Sequence, residues 1–228
     1  MTLEAKRAIE SADVIVGYKT YVKLVESIIK PGAEVFSGVM GKEVDRAKVA
    51  VDQALGGKCV AVISSGDPGV YGMAGIVLEV AERENAKVPV QIIPGVTAAT
   101  SAAARLGAPL VTDFAVISLS DLLTPWKLIE KRLHAAGEAD FVVVLYNPQS
   151  EGRKEPLAKA YEILLKYRKP ETPVGIVKQV GRKGEEANVT TLKELMGCEV
   201  DMTTTIIVGN STTRMIGKRM VTPRGYDL

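Results

Sequence analysis

The sequence predicts an α/β protein built as two α/β domains, and three observations carry that expectation. Short apolar runs alternate with helix-period segments along most of the 228 residues. Several of those runs end in turns rich in Gly, Pro, Ser, Asp and Asn, the composition found where ligands bind at the carboxyl ends of parallel strands. Residues 107–113, Gly-Ala-Pro-Leu-Val-Thr-Asp, then break the rhythm. The break divides the chain into an expected N-terminal α/β domain, 1–111, and a C-terminal α/β domain, 112–228.

In chain order, residues 1–7 read as the start of an amphipathic helix and residues 13–17 as a strand and turn. A helix over 44–55 stops at Gly56-Gly57, a good C-terminal signal. Residues 58–65 read as strand, 70–85 as helix, 88–93 as strand, and 97–106 as an alanine-rich helix closed by Gly107. This β-α-β-α order predicts a parallel sheet covered by helices on both faces. Beyond the break, strands are expected at 114–119, 141–146, 174–178 and 205–208. Helices are expected at 125–135, with Pro125 well placed at the start, at 155–167 and at 191–196. More antiparallel pairing is expected toward the end of the chain.

Composition narrows the function. At 46% hydrophobic the chain can build a full core. Its apolar runs fall short of the roughly 20 residues that span a bilayer. The N-terminus lacks the apolar centre of a secretory signal. A net charge of +2, no basic block and 5% aromatic residues disfavour an extended nucleic-acid surface. Cys59 and Cys198 have no metal-ligand spacing, and Cys59, in an apolar run, reads as core packing. A cytoplasmic enzyme is the expectation, with no membrane and no nucleic-acid partner.

Common catalytic sets are missing. The one histidine, His134, sits in a helical pattern and reads as a surface or helix-end residue. No phosphate loop of the G-x-x-x-x-G-K-[ST] type occurs, no G-x-G-x-x-G follows a strand, and no metal site is expected. What remains are loops at strand ends. The first is Ser64-Ser65-Gly66-Asp67-Pro68-Gly69-Val70-Tyr71-Gly72, after the run 60–63. The second is Pro94-Gly95-Val96-Thr97-Ala98, after 90–93. Two glycine turns of this kind suggest one pocket, because glycine lets a ligand approach the backbone closely. Asp67 could face a cationic or hydroxyl-rich group or cap the following helix, and Thr97 could touch a ligand or cap its own helix. Asp121, between a strand and a helix, could be an acid/base group or stabilise its loop. Trp126 could pack or offer a flat face to a large ring. Lys178, Arg182, Lys183, Lys218, Arg219 and Arg224 are candidates for an acidic small molecule or are solvated surface charges.

Gly66-Asp67-Pro68 with Tyr71, the turn 94–98, and Tyr146-Asn147-Pro148 together resemble the tetrapyrrole methylases that use S-adenosylmethionine. Residues 118–126, Ser-Leu-Ser-Asp-Leu-Leu-Thr-Pro-Trp, are similar to the branch that methylates C17 of precorrin-3B or cobalt-precorrin-3. So are Val208-Gly209-Asn210-Ser211 and Thr222-Pro223-Arg224-Gly225-Tyr226. The resemblance implies two α/β domains with a ligand cleft between them, a homodimer, and methylation of C17 with ring contraction in cobalamin biosynthesis. It implies S-adenosyl-L-methionine as donor and S-adenosyl-L-homocysteine as product. Carried over by position, Gly66, Asp67, Val70, Tyr71, Thr97, Ala98, Asn147 and Gly175 would contact the donor. Lys178 and Arg224 would position the carboxylate-bearing macrocycle, and Asp121 would move protons. The family pattern begins with a short strand and a Gly-x-Gly-Pro-Gly loop, whereas this sequence starts at Met1-Thr2-Leu3-Glu4-Ala5, inside the helix that follows. The expected fold is therefore one with that N-terminal strand missing. The alternatives are another branch of the family, such as a precorrin-4 C11-methyltransferase or a diphthine synthase, or an inactive ligand-binding homologue.

Overall fold

The computed structural model describes residues 1–150, 152, 153 and 155–227. The chain forms two compact units, Met1–Thr97 and Ala98–Leu228.

The first unit runs α1 (Leu3–Ser11), β1 (Val14–Tyr18), α2 (Lys19–Val25), β2 (Glu34–Gly38), α3 (Glu43–Leu55), β3 (Val60–Ile63) and α4 (Ala74–Arg83). Thr2 caps α1 by accepting the Ala5 N–H at 3.2 Å. The sheet order is β2-β1-β3, and both pairings of β1 are parallel. Period-two alternation sends the β1 side chains to opposite faces. Ile15 packs with Ile9 and Ala12 at the end of α1 and with Val22 and Val25 of α2. Val14 and Val16 pack with Ala50 of α3. The parallel sheet covered on both faces is thus as the alternation predicts. Asp13 braces the start of β1: its Oδ1 accepts from Lys30 Nζ at 2.7 Å and its Oδ2 from the Cys59 N–H at 3.0 Å. The hydrogen bond from Lys30, and then that from Cys59, hold its carboxyl below the usual range.

Three expectations for this unit need correction. Residues 88–93 form no strand ladder, and Val90 and Ile92 are exposed. Apolar β-formers make a strand only when a neighbour takes up their backbone groups. The segment is instead tied to the α1 region, by Gln91 Nε2 to Glu4 Oε1 at 3.1 Å and Thr2 Oγ1 to the Pro94 carbonyl at 3.1 Å. The helix expected at 70–85 begins only at Ala74, for reasons given with the site. Cys59 is exposed rather than packed in the core, because it precedes β3 and its backbone, not its thiol, binds Asp13.

The second unit runs α5 (Ala98–Leu106), β4 (Gly107–Ala108), β5 (Phe114–Ser118), α6 (Trp126–Glu138), β6 (Val142–Tyr146), α7 (Glu155–Leu164), β7 (Pro173–Lys178), β8 (Glu186–Thr191), β9 (Thr204–Val208), β10 (Arg214–Ile216) and β11 (Arg219–Val221). A short 3-10 helix, Leu192–Gly197, replaces the helix expected at 191–196. The main sheet has the order β5-β6-β9-β7-β8, parallel between β5 and β6 and antiparallel elsewhere. A small sheet joins β10, β11 and β4. Val143 and Leu145 of β6 face Ile129 and Leu133 of α6 and Leu157 and Leu164 of α7, all 2% exposed or less. Burying each such side chain contributes about 2 kcal/mol. Val142 and Val144 face the other way, toward Ala99, Ala102 and Leu106 of α5. That packing places α5 in the second unit, so the chain divides at Thr97/Ala98 rather than at 111/112. The alanines of α5 permit this close approach, and a sequence rhythm cannot reveal which sheet a helix covers.

Candidate active site

In the first unit the site grows from the end of β3. Ser64 Oγ accepts the Met73 N–H at 2.9 Å, and the Pro68 carbonyl accepts the Ala74 N–H at 3.0 Å. These bonds wind residues 64–74 into a compact loop, and α4 starts after it. Gly66 has φ 74°, and Tyr71 is left-handed at φ 55°, an uncommon and costly state for an aromatic residue. A Cβ at Gly72 would come within 2.6 Å of the Pro68 carbonyl oxygen. The loop is therefore too tightly wound to be the first turn of a helix.

Asp67 joins this loop to the second turn. Its Oδ1 accepts the Gly69 N–H at 2.8 Å and its Oδ2 accepts the Gly95 N–H at 2.9 Å. A Cβ at Gly95 would overlap the Gly66 carbonyl oxygen. The two glycine turns inferred from the sequence do meet. Asp67 does not cap α4, whose first turn has Met73 at the cap and no side-chain bond; it braces one turn against the other. Val70 is half-buried and Tyr71 exposed. Thr97 is half-buried immediately before α5.

In the second unit a polar cluster forms where β5 and β6 end side by side, with Ser118 paired to Tyr146. Asn147 is left-handed at φ 50°, and its Nδ2 donates to Ser118 Oγ at 2.9 Å, which also accepts the Ser120 N–H at 3.2 Å. Arg153 donates from Nη1 to the Leu119 carbonyl at 2.8 Å and from Nη2 to the Asn147 carbonyl at 3.1 Å. The same Nη1 lies 3.7 Å from Asp121 Oδ1. Asp121, exposed, lies at the edge of this cluster of strand-end groups, and the loop after it carries Leu122 and Leu123, 83% and 98% exposed. Tyr146 Oη accepts the Ala99 N–H at 2.6 Å in the first turn of α5, next to Ala98.

Other candidates acquire packing roles. The space a side chain at Gly175 would need is filled by Leu106. Trp126 packs on the α6–α7 core with Lys159 Nζ 5.5 Å from its ring centroid. His134 Nδ1 is 2.8 Å from Tyr167 Oη, a helix-side contact. Lys178 pairs with Glu199 at 3.1 Å, and that hydrogen bond raises its pKa. Arg224 is exposed, 5.9 Å from the Tyr226 ring centroid. The motif 208–211 is scaffold: Asn210 Oδ1 accepts from the backbone and hydroxyls of Thr212 and Thr213, and Thr213 Oγ1 is 2.8 Å from Thr222 Oγ1. Arg153, Ser118 and Tyr146 had no functional role in the sequence reading. The available signal was that Ser118 and Tyr146 each end a strand and that an arginine follows the Asn147-Pro148 turn. Among the described residues, no group of three His, Cys, Asp or Glu side chains could hold a metal ion. No helix among them is long and apolar enough to cross a membrane.

Comparison with known proteins shows the family. The family model for Tetrapyrrole (Corrin/Porphyrin) Methylases matches residues 1–196. The "Probable cobalt-factor III C(17)-methyltransferase" of Salmonella typhimurium is 51% identical over 228 residues, covering 100% of this chain and 94% of that protein. The "Cobalt-factor III methyltransferase" of Priestia megaterium is 51% identical over 231 residues, and the chain spans only 43% of its length. The crystal structure of the methyltransferase CobJ superposes with a TM-score of 0.90 at 37% identity, over 98% of this chain and 93% of that one. With its sequence and its fold in agreement, the chain belongs to the tetrapyrrole (corrin/porphyrin) methylase family.

Proposed function

We propose that this protein is an S-adenosylmethionine-dependent C-methyltransferase. It methylates C17 of precorrin-3B, or of its cobalt-bearing counterpart, with ring contraction, in cobalamin biosynthesis. The name of the Salmonella typhimurium relative, 94% of which this chain covers, supports the substrate class. The observation that carries the site is the Asp67 brace, with bonds of 2.8 and 2.9 Å, that fixes two glycine turns against each other.

The turns suit the donor chemically. Residues 64–72 and 94–97 contain one carboxylate and no Lys, Arg or His, so nothing there repels a sulfonium or an ammonium. Gly66 and Gly69 are exposed and leave backbone accessible for polar contacts. Gly66, Asp67, Val70, Tyr71 and Thr97 would hold the donor. When bound, it supplies a methyl group already activated by the sulfonium, so the protein needs no strong nucleophile of its own.

The chain's residues position the acceptor and manage protons. Asp121 is the proposed acid/base group for the proton movements of contraction. The exposed Leu122 and Leu123 offer apolar cover to the macrocycle and help exclude water. Lys178, kept cationic by Glu199, and Arg224 would meet the macrocycle's carboxylates. Calorimetry with S-adenosylmethionine and mass spectrometry of the tetrapyrrole product test the reading. One added methyl group is expected. Donor binding with an unchanged macrocycle would identify a non-catalytic binder instead. We also place the protein in the cytoplasm as a homodimer; light scattering that returns the 24.4 kDa protomer mass alone would refute the dimer.

A further inference from the structure

Arg153 lies outside every motif that marks the family resemblance, yet its side chain joins the two strand ends of the second unit. Its guanidinium donates to two carbonyls, that of Leu119 after β5 at 2.8 Å and that of Asn147 after β6 at 3.1 Å, and lies at ion-pair distance, 3.7 Å, from Asp121 Oδ1 in the loop between β5 and α6. The side chain is 21% exposed and that of Asp121 39%. The two carbonyl bonds are partly buried and carry the hold on the strand ends, while the contact with exposed Asp121 is a weak, solvated ion pair that orients the carboxylate. Residues 119–125 have no regular structure and carry the two most exposed large apolar side chains among the described residues. The loop leaves the core at Leu119, which is fully buried and whose N–H donates to the Tyr146 carbonyl at 2.9 Å. Arg153, from beyond β6, adds a bond to the Leu119 carbonyl and the ion-pair contact to Asp121 just past that anchor. A planar fork can bond two divergent carbonyls while keeping its charge beside a carboxylate; an ammonium on a flexible stem cannot hold the same geometry.

We propose that Arg153 is a positioning residue for the reaction. It fixes the 119–125 loop, and with it Asp121, against the ends of β5 and β6. The proposal rests on the reading of Asp121 as the acid/base group. Arg153 need not touch donor or macrocycle; its effect passes through Asp121 and the loop.

The test uses the full chain with S-adenosylmethionine and the tetrapyrrole substrate, and compares Arg153→Lys, Arg153→Met, Asp121→Asn and the double variant Asp121→Asn/Arg153→Met. Calorimetry reads donor affinity, steady-state assays separate kcat from KM, and thermal melts report folding. Both Arg153 variants should bind donor within about threefold of the parent while kcat falls roughly tenfold or more. The double variant should be no slower than the slower single, because both changes disable one unit. If Arg153→Met does not fold, Arg153→Lys, which keeps the charge and loses the fork, carries the test. Arg153 variants with parental kcat would overturn the proposal while leaving Asp121 in place. So would losses that multiply in the double variant, or donor affinity that collapses together with kcat. Asp121→Asn with full kcat would instead remove the reading of Asp121, and the proposal with it.

Discussion

Replacing Gly95 with alanine tests whether the two glycine turns are one rigid structure. Gly95 is not among the residues with positive φ, so its backbone is open to alanine. On conformational grounds alone, Gly95→Ala should stabilise the protein by about 0.4–1 kcal/mol through the unfolded chain. The packing predicts the opposite sign. The new Cβ would overlap the Gly66 carbonyl oxygen and lie 2.9 Å from Gly66 C and 3.1 Å from Asp67 Cα. All three are backbone atoms that cannot swing aside. Relief requires the turns to separate, which stretches the 2.9 Å bond from the Gly95 N–H to Asp67. Overpacking costs about 1–3 kcal/mol, and a hydrogen bond to a charged group contributes about 1.5–3 kcal/mol. Allowing for partial relaxation, a net loss of about 2–4 kcal/mol is expected. Urea unfolding should show a lower midpoint with an unchanged slope. Calorimetry should show donor affinity reduced by roughly tenfold or more, since about 1.4 kcal/mol is a factor of ten. Gly75→Ala is the control, because a Cβ in that helical position meets nothing within 4 Å; it should stabilise by about 0.5–1 kcal/mol. A Gly95→Ala protein as stable as the parent, with parental donor affinity, would refute the clamped-turn model.

Three further outcomes follow from other parts of the molecule. Arg168 is 6% exposed and donates to the carbonyls of Gly137, Phe141, Tyr167 and Gly209 while pairing with Asp140 at 3.1 Å. Arg168→Ala would strand those acceptors and should cost about 3–5 kcal/mol in a denaturant titration; a loss under 1 kcal/mol would contradict it. Asp13 has a folded pKa below its unfolded value, because Lys30 and the Cys59 N–H favour the carboxylate. Its contribution is therefore present above the unfolded pKa and disappears as pH falls through the folded one. Asp13→Asn should lower the melting temperature at pH 7, and the gap to the parent should close in strong acid; a gap that persists there would be the wrong result. Lys178 has the opposite linkage: its raised pKa keeps the Glu199 pair intact through neutral pH and loses it only above the ordinary lysine range. Lys178 should therefore not make macrocycle binding change between pH 6 and 9, as pH titrations at fixed ionic strength can check, whereas added salt at fixed pH should weaken it by screening.

The sequence by itself determined most of the periodic structure. Continuous apolar runs in β1 and β6, Gly56-Gly57 after α3 and Pro125 before α6 are local signals, and local signals survive folding. It also marked both glycine turns and the strand-end residues Asp121 and Asn147. Strands with polar or mixed sequences escaped notice, such as β8 with Glu-Ala-Asn-Val-Thr-Thr. They are strands because a neighbour pairs with them, as β7 does with β8. The converse happened at 88–93, where a strand-like sequence makes no ladder. Only tertiary structure decided the partners: Asp67 with Gly95, Leu106 over Gly175, and Arg153 across two strand ends. These contacts join residues distant in sequence or turn on side-chain direction. Neither composition nor periodicity encodes such pairings, so the glycine and polar turns were legible in the chain, while the bonds that hold them in shape became visible only once the chain was folded.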